Sequence, residues 1–247
     1  MTNSISVVIP CYNEGTRVGE LVYHVLSIFQ HEVQVIISDQ SNDQIIFHSL
    51  KHYKDNQNII YTKSTGDCRA ETMNHGASLA SGDILLFLHA DNQLPIQANT
   101  ELKHIDLSHY IGGGFLKLYS PFTFWTNMMT TFWNIKRVRS KQFFGDNAMW
   151  CSKKVFEELG GFPRMKLFED VAFSKTLLDY TKGNNKDIYV SLYPTITSSR
   201  KYSQGGFRRV FWLQTKLQIL YKLGLYNDNF QQKYYQPTVQ KNKKESK

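Results

Sequence analysis

Carboxylates that follow short apolar segments are the residues of this sequence best suited to chemistry. Asp91 comes just after the unbroken apolar run 84–88, which has the length and composition of a strand buried on both faces. Asp39 and Glu14 also follow short apolar segments. Ligands of open α/β sheets bind beyond the carboxyl ends of the strands. We therefore expect these side chains to converge at one edge of a sheet.

The side chain of Asp91 is of a type that suits a metal ion. Its hard carboxylate oxygens are what Mg²⁺ or Mn²⁺ binds when the metal also holds substrate phosphates. The alternative is a polar turn without a ligand, closed by Asn92 and Pro95. This segment alone does not decide between the two.

The elements that must position these carboxylates alternate between strand and helix. Strands are predicted at 5–9, 33–37, 58–62 and 84–88, and amphipathic helices at 18–29 and 70–80. This alternation favours parallel pairing with right-handed crossovers. The sequence therefore predicts an α/β fold with a mostly parallel central sheet flanked by helices.

The second half of the chain is less regular. Three glycines, 112–114, open a predicted strand at 115–119, and further strands are predicted at 148–151 and 188–192. Helices are predicted at 153–159, from Glu169 onward, and at 207–224. An acidic first turn such as Glu169–Asp170 also suits the helix dipole, so it does not by itself indicate catalysis.

Composition narrows the class of protein. The 247 residues carry 29 Lys and Arg against 21 Asp and Glu, and the net charge of +8 fits acidic ligands such as nucleotides, or an anionic membrane. We expect residues 227–247 to form a basic, disordered tail. The sequence contains no recognised nucleic-acid motif, no CxxC pair and no GxGxxG after the first strand, which argues against nucleic-acid binding, a zinc site and a dehydrogenase.

Localisation is predicted from the same features. No apolar run approaches the ~18 residues that span a bilayer. We expect a cytoplasmic protein. Peripheral contact with the inner face of the membrane is an open alternative, since 119–139 and 207–222 are aromatic and basic. Core packing or a cover over an acceptor site explains the same segments without a membrane.

Several ordered motifs resemble the family 2 glycosyltransferases of the GT-A fold. Those shared with the family at large are VVIPCYNEG and SDQSND. Three later stretches are similar to a bacterial subgroup found near radical-SAM and selenium-related genes, and they are DCRAETMNHGASLASGDILLFLHADNQLP, FFGDNAMWCSKKVFEELGGFPRMKLFEDVAFSKTL and TSSRKYSQGGFRRVFWLQTKLQILYKLGL. The resemblance implies one GT-A-like nucleotide-diphospho-sugar transferase domain over 1–226, with a nucleotide-binding half at 1–95 and an acceptor half at 96–226.

The resemblance also implies a nucleotide-sugar donor, with UDP- and GDP-sugars favoured. Asp39 would read the base with its carboxylate, unless it only caps a helix. Gln40 stands where the family has glycine, which leaves the identity of the nucleotide open. Arg69 would approach the nucleotide, unless it is a surface arginine. The residues expected to line the nucleoside are Pro10, Tyr12 and Glu14.

The remaining roles that the resemblance implies are metal binding, catalysis and acceptor binding. Asp91 would hold the Mg²⁺ or Mn²⁺ that bridges the diphosphate. His89 replaces the first residue of the family's Asp-x-Asp, and we expect it on the nucleotide side rather than on the metal. Asp170 would be the general base of an inverting transfer, and Glu169 would orient the acceptor or the helix. Asp146 resembles an acceptor-side residue.

Two other functions stay open at this stage. The same fold serves other nucleotide-dependent enzymes, such as a nucleotidyltransferase or a phosphorylase, and these release pyrophosphate or a sugar phosphate instead of a nucleoside diphosphate. A non-catalytic protein that binds nucleotide sugars or a membrane surface is the other alternative, and it would show no turnover.

Overall fold

The computed structural model describes residues 2–225, apart from the side chains at 201 and 204. Within this range the chain forms the strands β1 (Ile5–Cys11), β2 (Gln34–Asp39), β3 (Ile59–Lys63), β4 (Ile84–Phe87), β5 (Asn92–Gln93), β6 (Tyr110–Ser120), β7 (Trp150–Ser152) and β8 (Asp187–Ser198). They make one sheet in the order β3-β2-β1-β4-β7-β6-β8-β5. The predicted tail at 227–247 lies outside the described residues.

The sheet is mixed and mostly parallel. β3, β2, β1 and β4 pair in parallel, so their carboxyl ends share one edge. β7 lies antiparallel between β4 and β6, and β8 pairs parallel to β6 and antiparallel to β5. The predicted α/β fold with a mostly parallel sheet is confirmed.

Helices flank the sheet in the described part of the chain. They are α1 (Arg17–Ile28), α2 (Ile45–Ser49), α3 (Arg69–Ser78), α4 (Gln97–His104), α5 (Phe124–Ser140), α6 (Lys153–Glu158), α7 (Glu169–Asn184), α8 (Arg200–Gly205) and α9 (Phe207–Lys222). Short 3₁₀ turns lie at Lys51–Tyr53 and Gly145–Asn147. Over residues 2–225, none of these helices combines the length and apolarity needed to cross a bilayer.

The apolar core lies on both faces of the sheet, which explains the unbroken apolar run at β4. Leu86 and Leu88 pack into a cluster with the apolar face of α1, whereas Leu85 and Phe87 pack into a second cluster with α3, α6 and α7. Because alternate side chains of a strand point to opposite faces, a strand covered on both sides needs apolar residues at every position.

Three segments of the second half differ from the prediction. The glycines 112–114 lie inside β6 rather than before it. Glycine is needed at these positions, because added Cβ atoms would meet Leu177, Tyr189 and Phe143 at 2.2–2.6 Å. The aromatic segment near 121–139 forms α5, which begins with a capping box of Thr123 and Thr126. β8 continues beyond the predicted 188–192 as far as Ser198, and the register of its pairing with β6 shifts just before Pro194.

Candidate active site

The strand ends of the first half bring three predicted carboxylates to one edge of the sheet. Glu14, Asp39 and Asp91 lie at or just beyond the carboxyl ends of β1, β2 and β4, which are neighbouring parallel strands. Burial raises the pKa of Glu14, and the charge of the exposed Asp91 raises it further, while Arg17 opposes both. The two carboxylates therefore interact electrostatically, as the predicted convergence requires.

Asp39 is the most enclosed of these carboxylates, with a side chain that is fully buried. It accepts hydrogen bonds from the backbone N–H of Ser41, the hydroxyl of Tyr61 and the ammonium of Lys63, each at 2.8 Å. Burial alone would raise the pKa of Asp39, but the hydrogen bonds from these neighbours lower it below its usual range. Asp39 therefore stays charged and ties together the ends of β2 and β3.

The turn after β1 presents an aromatic ring to solvent. Pro10 is half-buried in β1, whereas the side chain of Tyr12 is 60% exposed. Asn13 adopts a left-handed backbone conformation with φ of 55°, and its N–H donates to the hydroxyl of Ser41 at 2.8 Å. This hydrogen bond fixes the turn against the end of β2 and leaves the ring of Tyr12 available to a ligand.

Gln40 holds the neighbouring loop. Its side-chain amide donates to the carbonyl oxygen of Gly66, and its side-chain oxygen accepts from the hydroxyl of Thr72 at 3.3 Å. The residue that departs from the family pattern therefore connects the end of β2 to the segment that leads into α3.

Arg69 joins the two halves of the chain. It is the first residue of α3, and its Nε lies 2.5 Å from Oε1 of Glu169, the first residue of α7. Its guanidinium also lies 3.7 Å from Oδ2 of Asp170. Burial raises the pKa of Glu169, an effect that Arg69 opposes and Asp170 reinforces. The structure thus brings Arg69 together with two adjacent carboxylates that follow it in the sequence by 100 positions or more.

Asp170, the second residue of α7, accepts hydrogen bonds from two backbone N–H groups. Its Oδ2 accepts the N–H of Gly145 at 2.8 Å, and its Oδ1 accepts the N–H of Val171 at 2.8 Å. Gly145 has to be a glycine here, because a Cβ would lie 2.3 Å from Nε2 of His89. The same Cβ would lie 3.4 Å from Asp170, so His89 and Asp170 flank this glycine.

His89 is neutral at neutral pH. Burial and the charge of Arg69 lower its pKa to about 4, although Asp91 and Asp146 act in the opposite direction. Its Nε2 is enclosed and makes no hydrogen bond with the described residues. A neutral imidazole with an unsatisfied ring nitrogen can donate to or accept from a bound substrate.

Asp146 belongs to a separate charged group in the second half. Its carboxylate pairs with the ammonium of Lys117, which is buried in β6. Burial would raise the pKa of Asp146, but Lys117, with smaller effects from Arg137 and His89, lowers it to about 2. Asp146 and Asp91 both act to raise the pKa of His89, so His89 links this charged group to the edge where Asp91 lies.

The partners of these carboxylates are the residues that the sequence analysis missed. Lys63 and Tyr61 become partners of Asp39 only through the pairing of β2 with β3. Lys117 interrupts the apolar run 115–119 of β6, and a charged residue at such a position is a signal that could have been used. Arg137 lies in the aromatic segment 119–139, which was interpreted only as a whole, as a membrane contact, core packing or a cover over an acceptor site.

The sequence of this chain is similar to that of a known protein family. The family model described as "Glycosyl transferase family 2" matches residues 6–160, which is more than half of the chain. This chain belongs to glycosyl transferase family 2. The predicted family is confirmed, whereas the narrower radical-SAM-associated subgroup stays a prediction. No curated protein matches the sequence of this family member.

Solved structures support the GT-A fold of this family 2 transferase. The mannosyltransferase PcManGT from Pyrobaculum calidifontis is 16% identical, with a TM-score of 0.64 over 95% of this chain and 70% of that chain. S. aureus TarS 1-349 is 18% identical, with a TM-score of 0.62 over 80% of this chain. The match spans 61% of that TarS chain.

The residues of this edge fit a divalent metal. Asp91 is exposed beyond β4, and its negative charge raises the pKa of Glu14. The carboxylate oxygens of Asp91 are ligands of the kind that Mg²⁺ or Mn²⁺ prefers. His89 is less suited to these ions, because an imidazole nitrogen is a softer ligand.

A second acidic group lies at the start of α3. The ligand atoms of Asp67, Cys68 and Glu71 lie within 4.8 Å of one another. Arg164 already pairs with both carboxylates, at 3.5 Å from Asp67 and 2.9 Å from Glu71. Arg164 compensates one of the two negative charges and occupies both carboxylates, so the edge beside Asp91 is the better candidate for the metal.

Proposed function

We propose that this chain is a metal-dependent inverting glycosyltransferase that moves a sugar from a nucleoside-diphosphate sugar to an acceptor hydroxyl. The observation that carries the proposal is the cluster of Arg69, Glu169 and Asp170, in which an arginine from the nucleotide half meets a carboxylate pair from the acceptor half. A transferase needs a cation for the leaving diphosphate next to a base for the acceptor, and this cluster supplies both.

The solved neighbours support the choice of donor. PcManGT was solved with GDP-Man and Mn²⁺, and TarS 1-349 was solved with UDP-GlcNAc and with UDP. Both donors are nucleoside-diphosphate sugars, so we propose a UDP- or GDP-sugar as the donor of this chain. We also propose that residues 1–95 bind the nucleotide and that 96–226 bind the acceptor within a single domain.

The nucleoside would bind over the turn that follows β1. Tyr12 offers an exposed ring, Pro10 lines the strand end, and Glu14 can accept from ribose hydroxyls. Asp39 is our candidate base reader. Its carboxylate is shielded by Lys63, whose side chain is 44% exposed. Direct contact with a base therefore requires Lys63 to move aside, and the base must then replace the hydrogen bond that Lys63 donates to the buried Asp39.

The chemical step we propose is a single displacement. Asp170 takes the proton of the acceptor hydroxyl as that oxygen bonds to the anomeric carbon from the side opposite the diphosphate. The bond from the anomeric carbon to the phosphate oxygen breaks, and the nucleoside diphosphate leaves with the bonding electrons. One displacement inverts the anomeric centre, so an α-linked donor gives a β-linked product.

The charges around this step favour departure of the diphosphate. Arg69 lies beside Asp170 and can bind the negative charge that develops on the leaving phosphate. Mg²⁺ or Mn²⁺, which Asp91 would hold, would supply further charge stabilisation when bound. We assign His89 to the donor side and Asp146 to the acceptor side.

Membrane contact stays a prediction from the sequence. On α5 the residues Phe124, Met128, Phe132 and Ile135 recur at spacings of four and three, and all four are exposed. Arg139 follows on the same helix. An exposed apolar stripe with basic residues fits an anionic lipid surface, and sedimentation with anionic vesicles is the measurement for it. The cytoplasmic localisation likewise stays a prediction.

Replacement of Asp170 with Asn tests the proposed function. We expect release of UDP or GDP from nucleotide sugars to fall about 100-fold to 10,000-fold, with little change in nucleotide affinity. Asp179→Asn is the matched control, because Asp179 lies on the exposed face of the same helix and pairs with two surface lysines. An Asp170→Asn protein that turns over at the wild-type rate would contradict the proposal. Release of pyrophosphate or a sugar phosphate would point to a different reaction on the same fold.

A further inference from the structure

Arg137 is a buried cation that the proposed reaction leaves unused. Its side chain is 5% exposed, and the centre of its guanidinium lies 3.6 Å from the ring centre of Phe144. The ring of Trp133 lies 5.4 Å away on the same helix. Among the residues that the structure describes, Arg137 makes no side-chain hydrogen bond and no ion pair, although burial of such a group is costly without partners.

The neighbouring cations differ from Arg137 because each of them has a carboxylate partner. Lys117 pairs with Asp146, and Arg69 pairs with Glu169. Arg137 feels the charges of Asp146 and Asp170, both of which raise its pKa against the effect of burial, yet it bonds to neither. Its five N–H donors are therefore available to a ligand.

The position of Arg137 points to the acceptor rather than the donor. Phe144, on which the guanidinium stacks, directly precedes Gly145, whose N–H is bound by the candidate base Asp170. Arg69 in the nucleotide half is already placed for the diphosphate. A group bound at Arg137 would thus lie close to the hydroxyl from which Asp170 takes the proton.

We propose that Arg137 binds an anionic group of the acceptor, a phosphate or a carboxylate, close to the reacting hydroxyl. The acceptor class is then a hydroxyl compound that carries an oxyanion. A planar guanidinium can bind either anion through two parallel hydrogen bonds, and stacking on Phe144 fixes the plane in which they form. This inference rests on the proposed function, because it uses Asp170 to locate the acceptor.

Matched sugar probes test the inference. The protein is first saturated with UDP or GDP and Mn²⁺, whichever nucleotide binds, and is then titrated at constant ionic strength with glucose, glucose 6-phosphate or glucuronate. We expect at least one of the two anionic probes to bind about tenfold more tightly than glucose. The phosphate and carboxylate probes distinguish the two sources of the anion.

Two variants of α5 assign this preference to one residue. Arg137→Met should remove the preference for the anionic probe, whereas Arg139→Met should retain it because Arg139 is exposed. Arg137→Lys keeps the charge but loses the two-point geometry, so it should keep only part of the preference. This variant serves the test if Arg137→Met does not fold.

Several outcomes would overturn the inference. Equal affinity for neutral and anionic probes in a wild-type protein that binds nucleotide would do so, and so would an anion preference that survives in Arg137→Met. If Arg137→Met loses as much affinity for the nucleotide as for the anionic probe, Arg137 binds the donor instead of the acceptor. Absence of nucleotide binding in the wild type is a separate result, because it contradicts the proposed function itself.

Discussion

The two halves of the site are built in different ways. In residues 1–95, the proposed nucleotide half, Glu14, Asp39 and Asp91 lie at the ends of three neighbouring parallel strands, each pairing over a regular register. In residues 96–226, the proposed acceptor half, Asp146 and Asp170 lie on a 3₁₀ turn and a helix start. The first arrangement follows from a general property of parallel sheets, whereas the second depends on contacts specific to this chain.

Arg69 is where the two halves meet, so its removal should have the largest effect on stability. Arg69→Met leaves Glu169 buried without its cation. We expect the free energy of unfolding in urea to fall by about 3–5 kcal/mol. Arg164→Met is the control, because Arg164 is 71% exposed and its loss should cost less than about 1 kcal/mol. Equal losses of unfolding free energy in the two variants would mean that the ion pair of Arg69 with Glu169 does not stabilise the contact between the two halves.

Gly145 tests how tightly the second half of the chain is packed around Asp170. In Gly145→Ala the new methyl group would lie 2.3 Å from Nε2 of His89, so the ring or the turn must move. We expect a loss of about 1–3 kcal/mol in urea unfolding together with reduced turnover. Gly183→Ala on α7 meets nothing within 4 Å and should be neutral or stabilising by up to about 1 kcal/mol. A fully active Gly145→Ala would show that the contact of His89 with this turn is not needed.

The sequence predicted the strands of residues 1–95 better than the contacts of residues 96–225 for a physical reason. Apolar runs such as β4 identify a strand locally, and the parallel topology then fixes where its end lies. The contact of Asp170 with Gly145 follows from no periodicity, since it depends on how β7 inserts antiparallel between β4 and β6. The same holds for the pairing of Arg69 with Glu169, which only the three-dimensional fold brings together.

The carboxylate–lysine pairs of the two halves should differ in their dependence on pH. Both Asp39 and Asp146 have a pKa below the usual range, so each pair stabilises the fold above the unfolded pKa of about 4 and loses this effect as pH falls further. For Asp146 the loss should extend down to about pH 2. The partner Lys117 is 10% exposed, whereas Lys63 is 44% exposed.

Urea unfolding at pH 6, 5, 4 and 3 measures this difference. We expect Lys117→Met to be less stable than wild type at pH 6, with a gap that narrows below about pH 4 as Asp146 becomes protonated. Lys63→Met should also be less stable than wild type at pH 6, because it leaves the fully buried carboxylate of Asp39 without its cation. A gap that stays constant across this range would contradict the ion pairing of Asp146.

Nucleotide binding tests the central claim most directly. Thermal unfolding of the wild type and of Asp91→Asn would be followed with UDP, GDP, ADP, CDP and dTDP, each with and without Mn²⁺. A diphosphate at ~100 times its dissociation constant should stabilise the wild type by about 2.7 kcal/mol. We predict this stabilisation for UDP or GDP, a dependence on Mn²⁺, and its loss in Asp91→Asn. If no diphosphate shifts the unfolding of the wild type, with or without the metal, then the edge formed by Glu14, Asp39 and Asp91 is not a donor site.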